Sequence, residues 1–286
     1  MGIERVLVVG AGFMGHGIGQ VVALSGRSVA LYEPDLARAV AGRDRIAGNL
    51  DRLAAKGRLD PGARDAALAH VVATDDLAWA GEADLAVEAV PEDVTLKAAV
   101  LEEVDAALRP GAILATNTSS ISIDRLAAAV GPARRSRFLG LHFFSPVPVM
   151  PLVEIVRGAA TDAATLDMAR AFAESLGKKT VASADRPGFI VNRMLMPLLA
   201  EAMRVLEEGT ATAADIDAGA KLGLNHPMGP LELADFIGLD VCLGIMRVLH
   251  DGLGQPQFEP PRVLQELVAA GHLGQKTGRG FHVYPR

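Results

Sequence analysis

The sequence predicts a doubly wound α/β domain followed by an all-α C-terminal domain. Over roughly the first 155 residues, short apolar runs alternate with helical patterns. These runs are nearly continuous in Val, Leu and Ile, as in parallel strands that are covered on both faces. The composition then shifts near Ser183 toward long helical patterns. We therefore expect two domains, residues 1–184 and residues 185–286.

Six apolar runs are predicted to be strands of one sheet. They are residues 6–9, 28–32, 85–88, 113–116, 138–141 and 153–156. Helical patterns lie between them, for example at residues 15–25 and 96–108. Repeated strand–helix–strand units with right-handed crossovers build a mainly parallel sheet.

The connection after the second strand, about residues 35–70, is unusually long and highly charged. Its pattern is largely helical, and breaks at Gly57 and Pro61 predict an inserted helical hairpin. A charge run usually marks a solvated face, which is the simpler interpretation of this segment. The alternative is a clamp over an anionic ligand.

The second domain is predicted to begin with a long helix that runs to about Glu208. Asp185 is a candidate N-cap, Pro187 suits the first helical position, and Gly209 suits the C-terminal end. Pro197 lies inside this helix and should kink it. Further helices are predicted at residues 213–222, 230–236, 240–250 and 261–270, with a short extended piece at 280–284.

Composition and charge exclude several classes of function. The 286 residues carry a formal net charge of −6, so neither nucleic acid nor an anionic membrane attracts the chain as a whole. Neither a secretory signal pattern nor an apolar run of about 20 residues is present. The single cysteine, Cys242, excludes an internal disulfide and a cysteine-rich metal site. We expect a cytoplasmic protein with no metal, nucleic-acid or membrane partner.

The first strand leads into a glycine-rich turn that predicts a Rossmann-type cofactor site. Gly10 permits the tight turn, Gly12 lets the backbone approach a pyrophosphate, and Gly15 allows close helix–strand packing. Glu33 ends the second strand, where a carboxylate accepts ribose hydroxyls and repels a 2′-phosphate. The pattern therefore predicts NAD rather than NADP. The alternative is a structural turn that binds no ligand.

A histidine and a glutamate on neighbouring strands are candidates for acid–base chemistry. His142 ends a strand at the predicted carboxyl edge of the sheet, where open α/β folds bind their ligands. Glu154 lies twelve residues later, and a hairpin-like return can bring its carboxylate to the imidazole. Histidine suits the removal of a hydroxyl proton, and a carboxylate can fix its tautomer. A histidine packed between Leu141 and Phe143 is the alternative.

Four stretches together resemble one known family: residues 6–15, 117–120, 141–154 and 185–193. The chain resembles the 3-hydroxyacyl-CoA dehydrogenases, and most of all the short-chain 3-hydroxybutyryl-CoA dehydrogenases, over essentially its whole length. The resemblance implies reversible, NAD-dependent oxidation of a short L-3-hydroxyacyl-CoA. It also implies a homodimer, in which residues 231–246 help to pair the subunits, and a C-terminal domain that closes the site.

The resemblance also implies the roles of individual residues. The catalytic set is His142, Glu154, Ser119 and Asn192. The cofactor set is Gly10, Gly12, Phe13, Met14, Gly15, Glu33, Glu92, Lys97, Ser119, Ser145 and Lys276. The CoA set is Asn49, Lys56 and Ser119, which gives the hairpin a role against phosphates. Simpler interpretations are a helix cap for Ser119, a backbone contact at the domain junction for Asn192, and surface positions for Lys97 and Lys276.

Three positions depart from the family pattern, and the substrate stays open. Ser145 replaces a usual Asn, Gly19 a common Ala, and Pro151 a common Lys at the rim of the site. One alternative keeps the chemistry but changes the substrate to a carrier-protein thioester, carnitine or a sugar acid. Another is a non-catalytic, NAD-binding protein of the crystallin type. Lys56 and the hairpin favour a phosphopantetheine-type thioester over a free acid.

Overall fold

The chain divides into two units, Met1–Arg186 and Pro187–Arg286. The computed structural model describes residues 2–285. An eight-stranded sheet forms the centre of the first unit, and helices form the second. The strands are β1 (Arg5–Val9), β2 (Ser28–Tyr32), β3 (Val71–Thr74), β4 (Leu85–Glu88), β5 (Ile113–Thr116), β6 (Phe138–Phe143), β7 (Leu152–Arg157) and β8 (Lys179–Ala184).

The strand order is β3-β2-β1-β4-β5-β6-β7-β8. The first six strands follow the Rossmann order and are parallel, whereas β7 runs antiparallel to β6 and parallel to β8. The order reverses between β1 and β4, and ligands of open α/β sheets bind at such a switch point. The predicted doubly wound fold is therefore confirmed.

The two edge strands, β3 and β8, were not predicted. All six residues of β8 are exposed or half-buried, and only Val71 of β3 is buried. An edge strand has less of its surface buried than a central strand has, so its sequence does not need a continuous apolar run. The six predicted strands, by contrast, are almost entirely buried.

Helices cover the sheet of the first unit: α1 (Phe13–Leu24), α2 (Leu36–Ala55), α3 (Pro61–Ala69), α4 (Val94–Ala107), α5 (Ile123–Ala127) and α6 (Ala163–Ser175). The expected hairpin is α2 and α3, with Gly57 in the left-handed region at φ 65° between them. Gly19 in α1 has a packing role, since a Cβ there would lie 2.8 Å from Leu31 Cδ2. Leu31 and Ile46 occupy the space that the common alanine would need.

The second unit contains α7 (Val191–Glu207), α8 (Ala213–Gly223), α9 (Pro230–Ile237), α10 (Leu239–Leu253) and α11 (Arg262–Ala269). Its core is aliphatic and includes the buried Cys242. The predicted start of α7 near Pro187 was wrong. Gly188 and Phe189 have φ angles of 74° and 50°, which no right-handed helix contains. Asp185 instead accepts hydrogen bonds from Ser122 Oγ at 2.7 Å and Asp124 N at 2.9 Å.

Within residues 2–285, none of the helices is both long enough and apolar enough to span a bilayer.

Candidate active site

The glycine-rich turn between β1 and α1 has the shape that a bound pyrophosphate requires. Gly10 has φ 99°, and a Cβ there would lie 2.9 Å from the Ala89 carbonyl oxygen. A Cβ on Gly15 would lie 1.7 Å from the Gly10 oxygen, so only glycine fits. Gly12, in contrast, has open space where its Cβ would project. Two glycines therefore close the turn, and the third leaves room for a ligand.

Glu33 is held beside this turn by the backbone. Its Oε1 accepts a hydrogen bond from Ala11 N at 2.8 Å, which fixes the carboxylate at the end of β2. α1 begins beyond Gly12 without a side-chain cap, so its first N–H groups can serve a phosphate. Phe13, at the start of α1, is exposed, and Met14 is half-buried. The turn, the helix start and the carboxylate all fit NAD.

His142 and Glu154 face each other across the antiparallel pair of β6 and β7. They are register partners, and His142 Nδ1 donates to Glu154 Oε2 at 2.7 Å. Both side chains are buried. A carboxylate that accepts from Nδ1 keeps the proton on that nitrogen, so Nε2 is the nitrogen with a basic lone pair. This arrangement suits proton exchange with a substrate hydroxyl.

Three further residues support this pair. Asn117, after β5, accepts the Phe143 backbone N–H on its Oδ1 at 2.9 Å, which ties β5 to the end of β6. The Phe144 ring lies 4.5 Å from the His142 ring, centroid to centroid. Lys178 donates to the carbonyl of Met150 at 2.9 Å and also to the carbonyl of Val147. The loop between β6 and β7 is therefore anchored from the start of β8.

Glu92 organises the loop that carries Ser119. Its Oε1 accepts from Thr118 Oγ1 at 2.6 Å, from Ser119 N at 2.9 Å and from Ser120 N at 3.1 Å. Burial alone would raise the pKa of Glu92, but Lys97 and these hydrogen bonds bring the pKa below its ordinary value. The carboxylate is therefore ionised at neutral pH. It accepts five hydrogen bonds from the loop, because the hydroxyls of Ser119 and Ser120 also donate to it, at 3.3 Å and 3.1 Å.

A buried ion pair lies beneath this loop. Lys97 Nζ donates to Glu88 Oε1 at 2.7 Å and lies 3.4 Å from Glu92 Oε2. Glu88 also accepts from Thr116 Oγ1 at 2.6 Å and from Val90 N at 2.7 Å. The Lys97 side chain is 1 % exposed and that of Glu88 0 %. The surface interpretation of Lys97 is therefore wrong, and a contact between Lys97 and the cofactor stays a prediction.

Asn49 lies on α2, and Lys56 is the residue that follows the last turn of this helix. Asn49 Nδ2 donates to the buried Gln20 of α1 at 2.9 Å, and Arg52 donates to Asn49 Oδ1. Lys56 is exposed at the C-terminal end of α2. Asn49 therefore links the hairpin to α1, while the charges of Arg52 and Lys56 face solvent.

Asn192 and Lys276 belong to the second unit. Asn192 is buried in the first turn of α7. Lys276 Nζ pairs with Asp240 at the start of α10, 2.7 Å from Oδ2. Ser145, in the first unit, is exposed and precedes Pro146 through a cis peptide bond. The proposed contacts of these three residues with substrate or cofactor stay predictions.

The sequence analysis assigned no role to several supporting residues, although two of them lie in the stretch 117–120: Glu88, Thr116, Asn117, Thr118 and Lys178. One signal was available, because a carboxylate at the end of the buried strand β4 needs a partner. No sequence signal identified Lys178, whose partners are backbone carbonyls of a loop about 30 residues away.

Comparison with known proteins shows the family to which the chain belongs. The family model "3-hydroxyacyl-CoA dehydrogenase, NAD binding domain" matches residues 5–186, and the C-terminal domain model of that family matches residues 188–284. The chain is 48 % identical to a 3-hydroxybutyryl-CoA dehydrogenase of Bradyrhizobium diazoefficiens, covering 99 % of this chain and 96 % of the relative.

Two solved structures are also similar over their whole length. FadB2 of Mycobacterium tuberculosis has a TM-score of 0.97 at 44 % identity, covering 100 % of each chain. The (S)-3-hydroxybutyryl-CoA dehydrogenase PaaH1 of Ralstonia eutropha has a TM-score of 0.95 at 43 % identity, covering 99 % of this chain and 100 % of that one. The glycine-rich turn, the placement of Glu33 and these matches lead to one conclusion: the chain is an NAD-dependent oxidoreductase that belongs to the 3-hydroxyacyl-CoA dehydrogenase family.

Proposed function

We propose that the chain oxidises short L-3-hydroxyacyl-CoA thioesters, such as 3-hydroxybutyryl-CoA, to 3-ketoacyl-CoA, and that it also catalyses the reverse reduction. The observation that carries this proposal is the buried His142–Glu154 pair, which lies at the carboxyl edge of the sheet. The domain that contains this sheet matches the NAD-binding domain of the family. The names of the similar proteins support the short acyl chain.

His142 moves the proton in the proposed reaction. Its Nε2 accepts the C3 hydroxyl proton as the C3–H bond breaks and the C3=O bond forms. NAD, when bound, supplies the acceptor for the hydride. Glu154 holds the proton on Nδ1 and stabilises the imidazolium that results. In the reductive direction His142 returns the proton to the forming hydroxyl.

Ser119 and Asn192 are proposed to hold the substrate oxygen at C3. Ser119 belongs to the loop that Glu92 organises, so its position depends on that carboxylate. Asn192 lies in the first turn of α7, and a carboxamide of this kind can donate a hydrogen bond to a substrate oxygen. Both residues would stabilise the charge that develops on that oxygen.

The hairpin of α2 and α3 is proposed to bind the phosphates of CoA through Asn49 and Lys56. The exposed charges of Arg52 and Lys56 at one end of α2 support this role. Phosphate contacts would favour CoA over a free hydroxy acid, because charge-assisted hydrogen bonds are the stronger ones.

A substrate panel tests the proposal. Purified protein is assayed for reduction of acetoacetyl-CoA, an acetoacetyl carrier protein and a free keto acid, each with NADH and with NADPH. We expect acetoacetyl-CoA with NADH to give the highest kcat/KM. A preference for the carrier protein or for a free acid would replace the proposed substrate. NADH binding with no turnover of any substrate would support a non-catalytic protein.

The role of the hairpin has a sharper test. Lys56→Gln should raise KM for acetoacetyl-CoA by about tenfold, since one charge-assisted phosphate contact is lost. It should leave KM for the N-acetylcysteamine thioester unchanged, because that analogue has no phosphate. Lys179→Gln is the control, since Lys179 is also an exposed lysine of the first unit but lies on β8. Equal effects on the two thioesters would contradict the role.

We also propose that the chain forms a homodimer through the second unit. Val241 and Val248 are exposed and lie seven residues apart on α10, so they share one face of the helix. Exposed Phe236 lies at the end of α9, just before α10. These residues form an apolar face of the kind that pairs subunits.

Light scattering after size exclusion tests the dimer. We expect about twice the chain mass of 29.9 kDa. Val241→Asp should shift the protein toward the monomer, because it places a charge on the paired face. Val72→Asp, on β3, is the matched control, since both valines are 43 % exposed. A monomeric wild type, or a dimer unaffected by Val241→Asp, would contradict the proposal.

We further propose a cytoplasmic location. A chain with a single cysteine forms no internal disulfide, which fits a reducing compartment.

A further inference from the structure

Arg38 lies beside the carboxylate that selects the cofactor. It is in the first turn of α2, where its Nε lies 3.8 Å from Glu33 Oε2. The two side chains differ sharply in exposure: that of Arg38 is 68 % exposed and that of Glu33 10 %. The Glu33 carboxylate therefore has a fixed position, whereas the guanidinium lies in solvent.

Two acidic groups, Glu33 and Asp35, and two basic groups, Arg38 and Arg45, lie near this end of β2, and Asp75 and Asp76 follow the neighbouring strand β3. Glu33 is bound to Ala11 N, and Asp35 caps α2 by accepting from Ala37 N at 2.9 Å. Arg45 Nη1 lies 3.5 Å from the Ala11 carbonyl oxygen. The guanidinium groups of Arg38 and Arg45 therefore lie near the Glu33 carboxylate, which is the more deeply buried charge of this group.

The geometry points to Arg38 as a latent 2′-phosphate ligand. We propose that Glu33 excludes NADP by its charge, and that Arg38 binds the 2′-phosphate once that charge is removed. Because the Arg38 side of this pair is largely in solvent and the two groups are 3.8 Å apart, the pair contributes little, so Arg38 can leave Glu33 at small cost. A planar guanidinium is also well suited to bidentate binding of phosphate. The proposal rests on the NAD site at the glycine-rich turn and concerns cofactor choice alone.

Binding of NADH and NADPH, measured by nicotinamide fluorescence without any acyl substrate, tests the pair. Glu33→Gln keeps an oxygen that can accept from Ala11 N but removes the charge. We expect it to tighten NADPH binding by at least about tenfold and to weaken NADH binding. Adding Arg38→Gln should reverse the gain for NADPH and leave NADH binding as in Glu33→Gln. Arg38→Gln alone should change NADH binding less than about threefold.

The matched control is Glu33→Gln/Arg43→Gln. Arg43 lies on the same helix, but its Nε donates to the Val71 carbonyl at 3.3 Å. This control should bind NADPH as tightly as Glu33→Gln does, because it removes one positive charge from α2 but leaves Arg38 in place. If Glu33→Gln/Arg38→Gln binds NADPH as tightly as Glu33→Gln, or if Arg43→Gln reverses the gain equally, Arg38 is not the ligand.

A second variant and a folding measurement keep the outcome clear. Glu33→Ala should give the same dependence on Arg38, since it also removes the charge. Melting temperatures of all variants identify any that fail to fold. Because the measurement needs no acyl substrate, a wrong substrate assignment would leave it unaffected. Weak binding of both cofactors to the wild type would instead count against the cofactor site itself.

Discussion

Replacing His142 by glutamine is expected to lower kcat for acetoacetyl-CoA reduction by about 100- to 10,000-fold. Glutamine fills a similar volume and can still hydrogen-bond Glu154, but it cannot exchange a proton with the substrate. NADH binding should be retained, because the glycine-rich turn does not involve His142. Steady-state kinetics together with NADH fluorescence measure the two effects separately. Unchanged turnover in this variant would contradict the proposed reaction.

Glu154→Gln should lower kcat by about 100-fold or more, for a different reason. A glutamine side chain can donate a hydrogen bond to Nδ1, which would stabilise the tautomer with its proton on Nε2. The double variant should lose little beyond His142→Gln, since the two residues act as one unit. Glu102→Gln, an exposed glutamate on α4, is the control and should have full activity. Additive losses in the double variant would show that Glu154 acts independently of His142.

Lys97→Met is expected to reduce the free energy of unfolding by about 3–5 kcal/mol, because it leaves the buried Glu88 carboxylate without its cation. Urea unfolding measures this loss. The substitution also removes the cation beside Glu92, which holds the Ser119 loop. Any folded variant should therefore have a lower kcat as well.

Removing both charges separates a buried ion pair from simple packing. Glu88→Gln/Lys97→Met should recover most of the lost stability, since no unpaired charge then remains buried. If Lys97→Met acted only through lost packing, the double variant would lose at least as much free energy of unfolding as Lys97→Met does. Arg262→Met is a surface control, because its pair with Glu266 on α11 is exposed and should contribute under about 1 kcal/mol.

Several features were predictable because local sequence encodes them. Gly10, Gly12 and Gly15 predicted a tight turn and a phosphate site, since only glycine permits such close backbone approach. Gly57 and Pro61 marked the division of the hairpin by their own backbone preferences. The pairing of His142 with Glu154 also followed from two strands and a short return.

Other features depended on contacts between distant segments. Lys97 has the sequence context of a surface lysine. It is buried because it lies in the first turn of α4, where its ammonium group pairs with the buried Glu88 at the end of β4. β8 lacks a strand pattern, and it pairs because β7 presents an open edge. Asp185 is a good helix cap by residue type, yet its partners lie about 60 residues earlier in the chain.

The sequence by itself determined three features: the apolar runs specify the central strands of the sheet, the glycines specify the turn, and Glu33 specifies the choice of NAD. Only the tertiary structure decided how the side chains around the site are held. It placed Lys97 between two carboxylates, Glu92 beneath the Ser119 loop and Arg38 beside Glu33. The physical reason is that backbone conformation depends on near neighbours, whereas burial and charge pairing depend on segments that meet only after folding.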